Sequence, residues 1–153
     1  MFRKHEAFYV PTLVTYQALS AEGSKYGLPS DSQRKVSDVL EHGLRALEMA
    51  QRGGVNIVYG SDLLGGMHPH QLEEFTIRSE VQPNIDVIRS ATTTAARLTG
   101  LEGKIGVVAP DAYADLLVID GDPLENIALL TDPAKHLKLV MKAGQVFVDT
   151  MDD

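Results

Sequence analysis

Val55-Asn56-Ile57-Val58-Tyr59-Gly60-Ser61-Asp62 decides the fold. Its first five residues are mostly β-branched or aromatic and make a short strand, which Gly60 ends. Immediately before it stands Gly53-Gly54, a strong helix stop, with Arg52 suited to the last turn. Upstream of that stop Val36, Val39, Leu40, Gly43, Leu44 and Leu47 recur at three and four, one apolar stripe of an amphipathic helix. Ser30-Asp31-Ser32-Gln33 offers N-cap candidates, and Ser30 with Gln33 has capping-box spacing. Ala7 to Val14 reads as an earlier strand interrupted by Pro11, and Ser20 to Ser30 as a loop rich in Gly and Ser. Strand, helix and strand with short joins predict a right-handed βαβ unit with parallel strands.

Downstream of Asp62 the stretch Leu63 to His70, centred on Gly65-Gly66, reads as a flexible loop. A helix is expected over Gln71 to Val81, stopping near Pro83, and another from an N-cap at Asn84 through Leu98 to a C-cap at Gly100. Beyond Leu101 the apolar period falls toward two, at Ile105 to Val108, Asp115 to Ile119, Leu137 to Met141 and Val146 to Val148. Ala143-Gly144 joins the last pair as a hairpin turn. The expected boundary therefore lies near Leu101, with an α/β segment at 1–100 and a β-rich segment at 101–153.

The composition excludes several classes of function. Of the 153 residues 44% are apolar and 23% charged, proportions of a globular domain with material for a core. No apolar run approaches the roughly 20 residues that span a bilayer. The run Ala7 to Val10, ended by Pro11, is too brief for a secretory leader. A net charge of −7 with scattered Lys and Arg speaks against nucleic acid and anionic membranes as partners. Without cysteine there is no disulfide and no thiolate ligand or nucleophile, so any metal must be held by His, Asp or Glu. A cytoplasmic location is the expectation.

Asp62 is the leading candidate for chemistry. It stands at the C-terminal end of a parallel strand, where α/β barrels carry their reacting groups, and a carboxylate there can bind a metal or shuttle a proton. The same position suits an aspartate that merely caps the next turn. His68 and His70 flank Pro69 in a loop, where no pleat directs the two rings to one side; lining a substrate cavity or lying in solvent suits them better than metal ligation. His5, His42 and His136 read as structural. Glu73-Glu74 and Asp152-Asp153 are paired carboxylates that a helical surface and a chain end explain, and Thr92-Thr93-Thr94 has no base to activate it. The glycines at 60, 65 and 66 form no phosphate loop, and no Gly-x-Ser-x-Gly elbow occurs.

Four stretches together resemble the C-terminal third of amidohydrolases: Val10-Pro11-Thr12-Leu13-Val14-Thr15-Tyr16, Gly60-Ser61-Asp62-Leu63, Ala114-Asp115-Leu116 through Gly121-Asp122-Pro123-Leu124, and Val140-Met141-Lys142-Ala143-Gly144-Gln145-Val146. Within that superfamily the chain is most similar to the prolidase-like branch of Xaa-Pro dipeptidases and related carboxypeptidases, with imidazolonepropionase as a cousin. The resemblance runs from Phe8 to Val148. It implies strands seven and eight of a distorted (β/α)8 TIM barrel, with their helices, followed by strands of a small β-sandwich domain. Asp62 would then be the strand-eight aspartate that contacts the metal and moves the proton, and His68, His70 and Tyr16 candidates for substrate binding. The implied cofactor is zinc or another divalent metal, and the implied substrate a small peptide or amide.

The family's His-x-His pair, bridging lysine and further histidines would all precede Met1, and a whole barrel takes roughly 250 residues. A zinc site takes about three protein ligands or more, so this chain by itself is expected to hold no metal stably and to be inactive alone. Two barrel strands without their neighbours expose an edge and an apolar face, which predicts a complementary barrel half or self-association. The alternative is a non-catalytic assembly or binding module.

Overall fold

The structure, a computed structural model, describes residues 1–151. The chain divides into two compact units, Met1–Gln82 and a second beginning at Pro83. In the first, strand β1 (Phe8–Tyr9) pairs in parallel with strand β2 (Asn56–Ile57), Phe8 opposite Asn56 and Tyr9 opposite Ile57. Between them run helix α1 (Leu13–Glu22), a 3-10 turn at Gly23–Tyr26 and the long helix α2 (Ser30–Arg52). After β2 come a 3-10 helix at Gly65–Glu73 and helix α3 (Glu74–Ser79).

The expected parallel pair is present, but the strand read over Ala7 to Val14 is shorter. Only Phe8 and Tyr9 are paired; Pro11 has no amide to donate, Thr12 turns the chain at φ 49°, and a helix starts at Leu13. Core burial outweighs β-propensity here, because Leu13, Val14 and Ala18 all enter the core from α1. The loop read from Ser20 is correspondingly the end of α1 and the 3-10 turn.

Helix α2 presents its stripe to that core. Leu47 is fully buried and Leu40 and Leu44 pack beside it, while Val39 remains largely exposed. Gly43 allows the two helices to approach: a Cβ there would lie 2.6 Å from Leu13 Cδ2. The capping box does not form. Pro29 occupies the N-cap, Ser30 is already helical, and Gln33 Nε2 donates to the Ser20 carbonyl at 2.6 Å instead. The helix ends at Arg52, before the two glycines, as the sequence predicts.

The second unit begins with helix α4 (Asn84–Ala91) and helix α5 (Thr93–Leu98) where one helix was expected. Thr92, at φ −121° and ψ −95°, separates them, and its hydroxyl donates back to the Ile88 carbonyl at 2.8 Å. Helix α5 ends at Leu98 with Thr99 at the C-cap, one residue before the expected Gly100, which turns left-handed just after it: the Gly100 amide bonds Arg97 O at 3.2 Å and the Leu101 amide bonds Ala96 O at 2.8 Å, a Schellman closure. Ile105 to Val108 is irregular rather than a strand. Gly106 there has φ +71°, outside the extended region, and lies so close to Thr92 that a Cβ would meet its carbonyl at 2.6 Å.

The remaining elements are strand β3 (Leu116–Ile119), a 3-10 helix at Ile127–Thr131, the short helix α6 (Pro133–His136), strand β4 (Leu137–Lys142) and strand β5 (Gln145–Asp149). The three strands form an antiparallel sheet in the order β3-β4-β5. The hairpin turn lies at Ala143 and Gly144, both at positive φ (49° and 80°), as a tight turn matching strand twist requires. Strands β3 to β5 all follow Leu101, as does α6, and α4 and α5 share a compact unit with them. Among the described residues no helix is long and apolar enough to cross a membrane.

Candidate active site

The ends of β1 and β2 meet at Gly60. A Cβ on Gly60 would lie 2.5 Å from Val10 Cγ1 and 3.6 Å from Thr12 Cγ2, so the residues leaving both strands touch there and no side chain fits. One residue on, the Ser61 carbonyl accepts the Thr15 hydroxyl at 2.5 Å, tying the exit of β2 to the first turn of α1. Asp62 follows at φ 49°, a left-handed conformation that aspartate tolerates better than most residues, and it is exposed. The candidate residue thus follows just beyond the joined C-terminal ends of the parallel pair. Tyr16 is half-buried on α1.

His68 and His70 lie in the 3-10 helix at Gly65–Glu73, which replaces the expected loop. His68 is exposed. His70 is engaged through both ring nitrogens, Nδ1 to Glu73 Oε1 at 2.7 Å and Nε2 to Glu22 Oε1 at 3.3 Å. Glu73 also accepts from Gln17 Nε2 at 3.0 Å, and Lys25 pairs with Glu22 at 3.2 Å. The Glu73 hydrogen bond, helped by the charges of Glu73 and Glu22, holds the imidazole above its ordinary value against a modest desolvation. Both nitrogens being held by carboxylates, His70 ties the segment after Asp62 to the end of α1. Of the other histidines, His42 lies on the exposed side of α2 against the Asp38 carbonyl, and His5 is exposed. Asp152-Asp153 lies outside the described residues.

The reading of Glu73-Glu74 as a helical surface is corrected for Glu74. Its side chain is fully buried, and Oε2 accepts the Val14 amide at 2.7 Å. Arg78, one turn along α3, is fully buried too. Its Nε donates to Gln82 Oε1 at 2.9 Å, Gln82 Nε2 reaches Gln51 Oε1 at 2.6 Å, and its guanidinium carbon stands 6.0 Å from the centroid of the Tyr59 ring. Tyr59 in turn stacks on Phe75 at 4.4 Å and donates to the Gln71 carbonyl at 2.6 Å. Among the described residues Glu74 Oε1 and both Arg78 Nη atoms make no hydrogen bond. Burial is the dominant influence on this group: it pushes the Glu74 carboxyl up to about 7 against the Val14 amide, Arg78 and the Leu13 amide, and raises the Tyr59 and Tyr9 phenols. Burial likewise lowers the Arg78 guanidinium.

Sequence reading missed Glu74 because its partner is an amide 60 residues away. The one available signal was the Glu74–Arg78 spacing of four on a helix whose neighbours Phe75 and Ile77 are apolar.

Among the described residues no three His, Cys, Asp or Glu side chains are grouped to hold an ion. Asp62 offers a single carboxylate at this position.

A model described as the amidohydrolase family matches residues 1–147. A prolidase solved in complex with N-methylphosphonate-L-proline is 44% identical with a TM-score of 0.90, over 97% of this chain and 36% of that one. An Xaa-Pro dipeptidase solved with methionine bound in its active site is 27% identical with a TM-score of 0.80, over 96% and 36%. Ochratoxinase of Aspergillus niger is 26% identical over 149 residues, 96% of this chain and 30% of its own. The chain thus spans about a third of the length of the relatives it matches.

Proposed function

The chain belongs to the amidohydrolase family, and from that premise we propose that it supplies the last two strand–helix units of a (β/α)8 barrel hydrolysing a peptide-type C–N bond. Asp62 is its reacting carboxylate. One observation carries this reading: Asp62 stands just past the meeting point of two parallel strand ends, pinned there by Gly60 against Val10 and by Ser61 against Thr15. In barrels of this kind the C-terminal strand ends face the cavity where substrates react.

Asp62 acts as a proton carrier. As water adds to the amide carbonyl, its proton passes to the carboxylate; as the C–N bond breaks, the same proton passes to the leaving amine, and the carboxylate is restored. Water is consumed and an acid and an amine are released. The prolidase and the Xaa-Pro dipeptidase among the similar structures support an Xaa-Pro dipeptide as the substrate class. Zinc or another divalent metal would need the rest of its ligands from strands beyond the described residues.

A hybrid enzyme tests the assignment. In it this chain replaces the corresponding 36% of the prolidase to which it is 44% identical. The hybrid is expected to hydrolyse an Xaa-Pro dipeptide, and Asp62→Asn to lower kcat by about 10²- to 10⁴-fold, the usual worth of a positioned acid–base group. An Asp62→Asn hybrid as fast as its parent would overturn the reading.

A further inference from the structure

We infer that Glu74 is a positioning residue for the Asp62 turn, acting through the first turn of α1. The inference rests on the reading of Asp62 as the reacting carboxylate. Its basis is two adjacent residues of α1 that grip opposite ends of one segment. Val14 donates its amide to Glu74 at 2.7 Å, and Thr15 donates its hydroxyl to the Ser61 carbonyl at 2.5 Å. The stretch from Asp62 to Glu73 is therefore closed at both ends on a single helical turn.

Glu74 does for α1 what no local residue does. The first amides of a helix have no carbonyl partner within it. Thr12, at the N-cap, makes no side-chain bond to them, and the first turn of α1 holds no acidic residue. A carboxylate from α3 supplies the missing acceptor, and it does so from a fully buried position, where a hydrogen bond is worth more than in water. Glu74 is itself fixed in space because α3 is locked by Arg78 to Gln82 and by Tyr59 to Phe75. Displacing Glu74 lets the start of α1 move; Thr15 moves with it, and the Ser61–Asp62 turn loses its anchor.

Amide hydrogen exchange on the chain itself tests the linkage without any catalytic assay. Thr15→Val is expected to speed exchange over residues 61–64 about tenfold and to leave the Val14 amide protected, and Thr15→Ser to restore the wild-type pattern. Above about pH 7, where the Glu74 carboxyl is ionised, Glu74→Gln keeps the shape but replaces a charge-assisted bond by a neutral one, so Val14 and residues 61–64 are expected to exchange about five- to tenfold faster together. Unchanged exchange over 61–64 in either variant would overturn the linkage. In the hybrid enzyme Thr15→Val is expected to lower kcat with KM held within about twofold, with rescue by Thr15→Ser; a fall in stability without a change in kcat would also count against it. An active Asp62→Asn hybrid would instead refute the catalytic reading, while the exchange data would still decide the linkage.

Discussion

Glu74→Gln removes one ionisable group from a place that water does not reach, and its consequence for stability can be worked out in advance. In the unfolded chain the carboxyl titrates near 4.5; in the fold, burial carries it to about 7. Between those values the folded state keeps a proton that the unfolded chain has released. Stability from this group is therefore fully present below about 4.5, falls as the pH climbs, and is gone above about 7. The interval from 4.5 to about 7, at ~1.36 kcal/mol per pH unit, comes to about 3 kcal/mol. Urea unfolding of the wild-type chain and of Glu74→Gln at a series of pH values from 4.5 to 8 measures it. The wild-type curve is expected to descend by about that amount across the window and the Glu74→Gln variant to lack most of the descent. Parallel curves for the two proteins would refute the assignment of a buried, proton-holding Glu74.

His70 gives a second descent of the same sign at higher pH: its raised value means a contribution fully present below about 6.5 and lost as the pH rises through the folded value, so His70→Gln should flatten only that part of the curve. Leu47→Ala empties a fully buried site between α1 and α2 and should cost about 2–5 kcal/mol by the same unfolding assay at fixed pH. Gly60→Ala places a methyl 2.5 Å from Val10 Cγ1, which is expected to cost about 1–3 kcal/mol and to shift the amide resonances of Ser61 and Asp62; unmoved resonances would show that the strand ends part without effect on the turn.

Periodic and punctuated stretches were legible from the residues alone. The α2 stripe ending at Gly53, the parallel partner strand (paired over Asn56–Ile57 of the expected Val55 to Tyr59), the closure around Gly100 and the Ala143-Gly144 hairpin follow from local chemistry. Each depends on neighbours within a few positions. Leu13 and Val14 were misread because their β-propensity is local, whereas the surface they bury belongs to α2 and to residues near Ile77. Thr92 broke a helix that its own neighbours would have continued, with Gly106 packed on its backbone.

The candidate site divides along the same line. Asp62 could be singled out from sequence because a glycine-ended strand and an aspartate are adjacent in the chain. The Glu74 anchor could not, since it exists only once α3 has brought a carboxylate to an amide 60 residues away and closed out the solvent. Sequence by itself determined which segments are helix or strand wherever the deciding contacts are short-range. Tertiary structure alone decided which polar groups are buried, because desolvation and hydrogen bonding between distant segments depend on what the whole fold brings together.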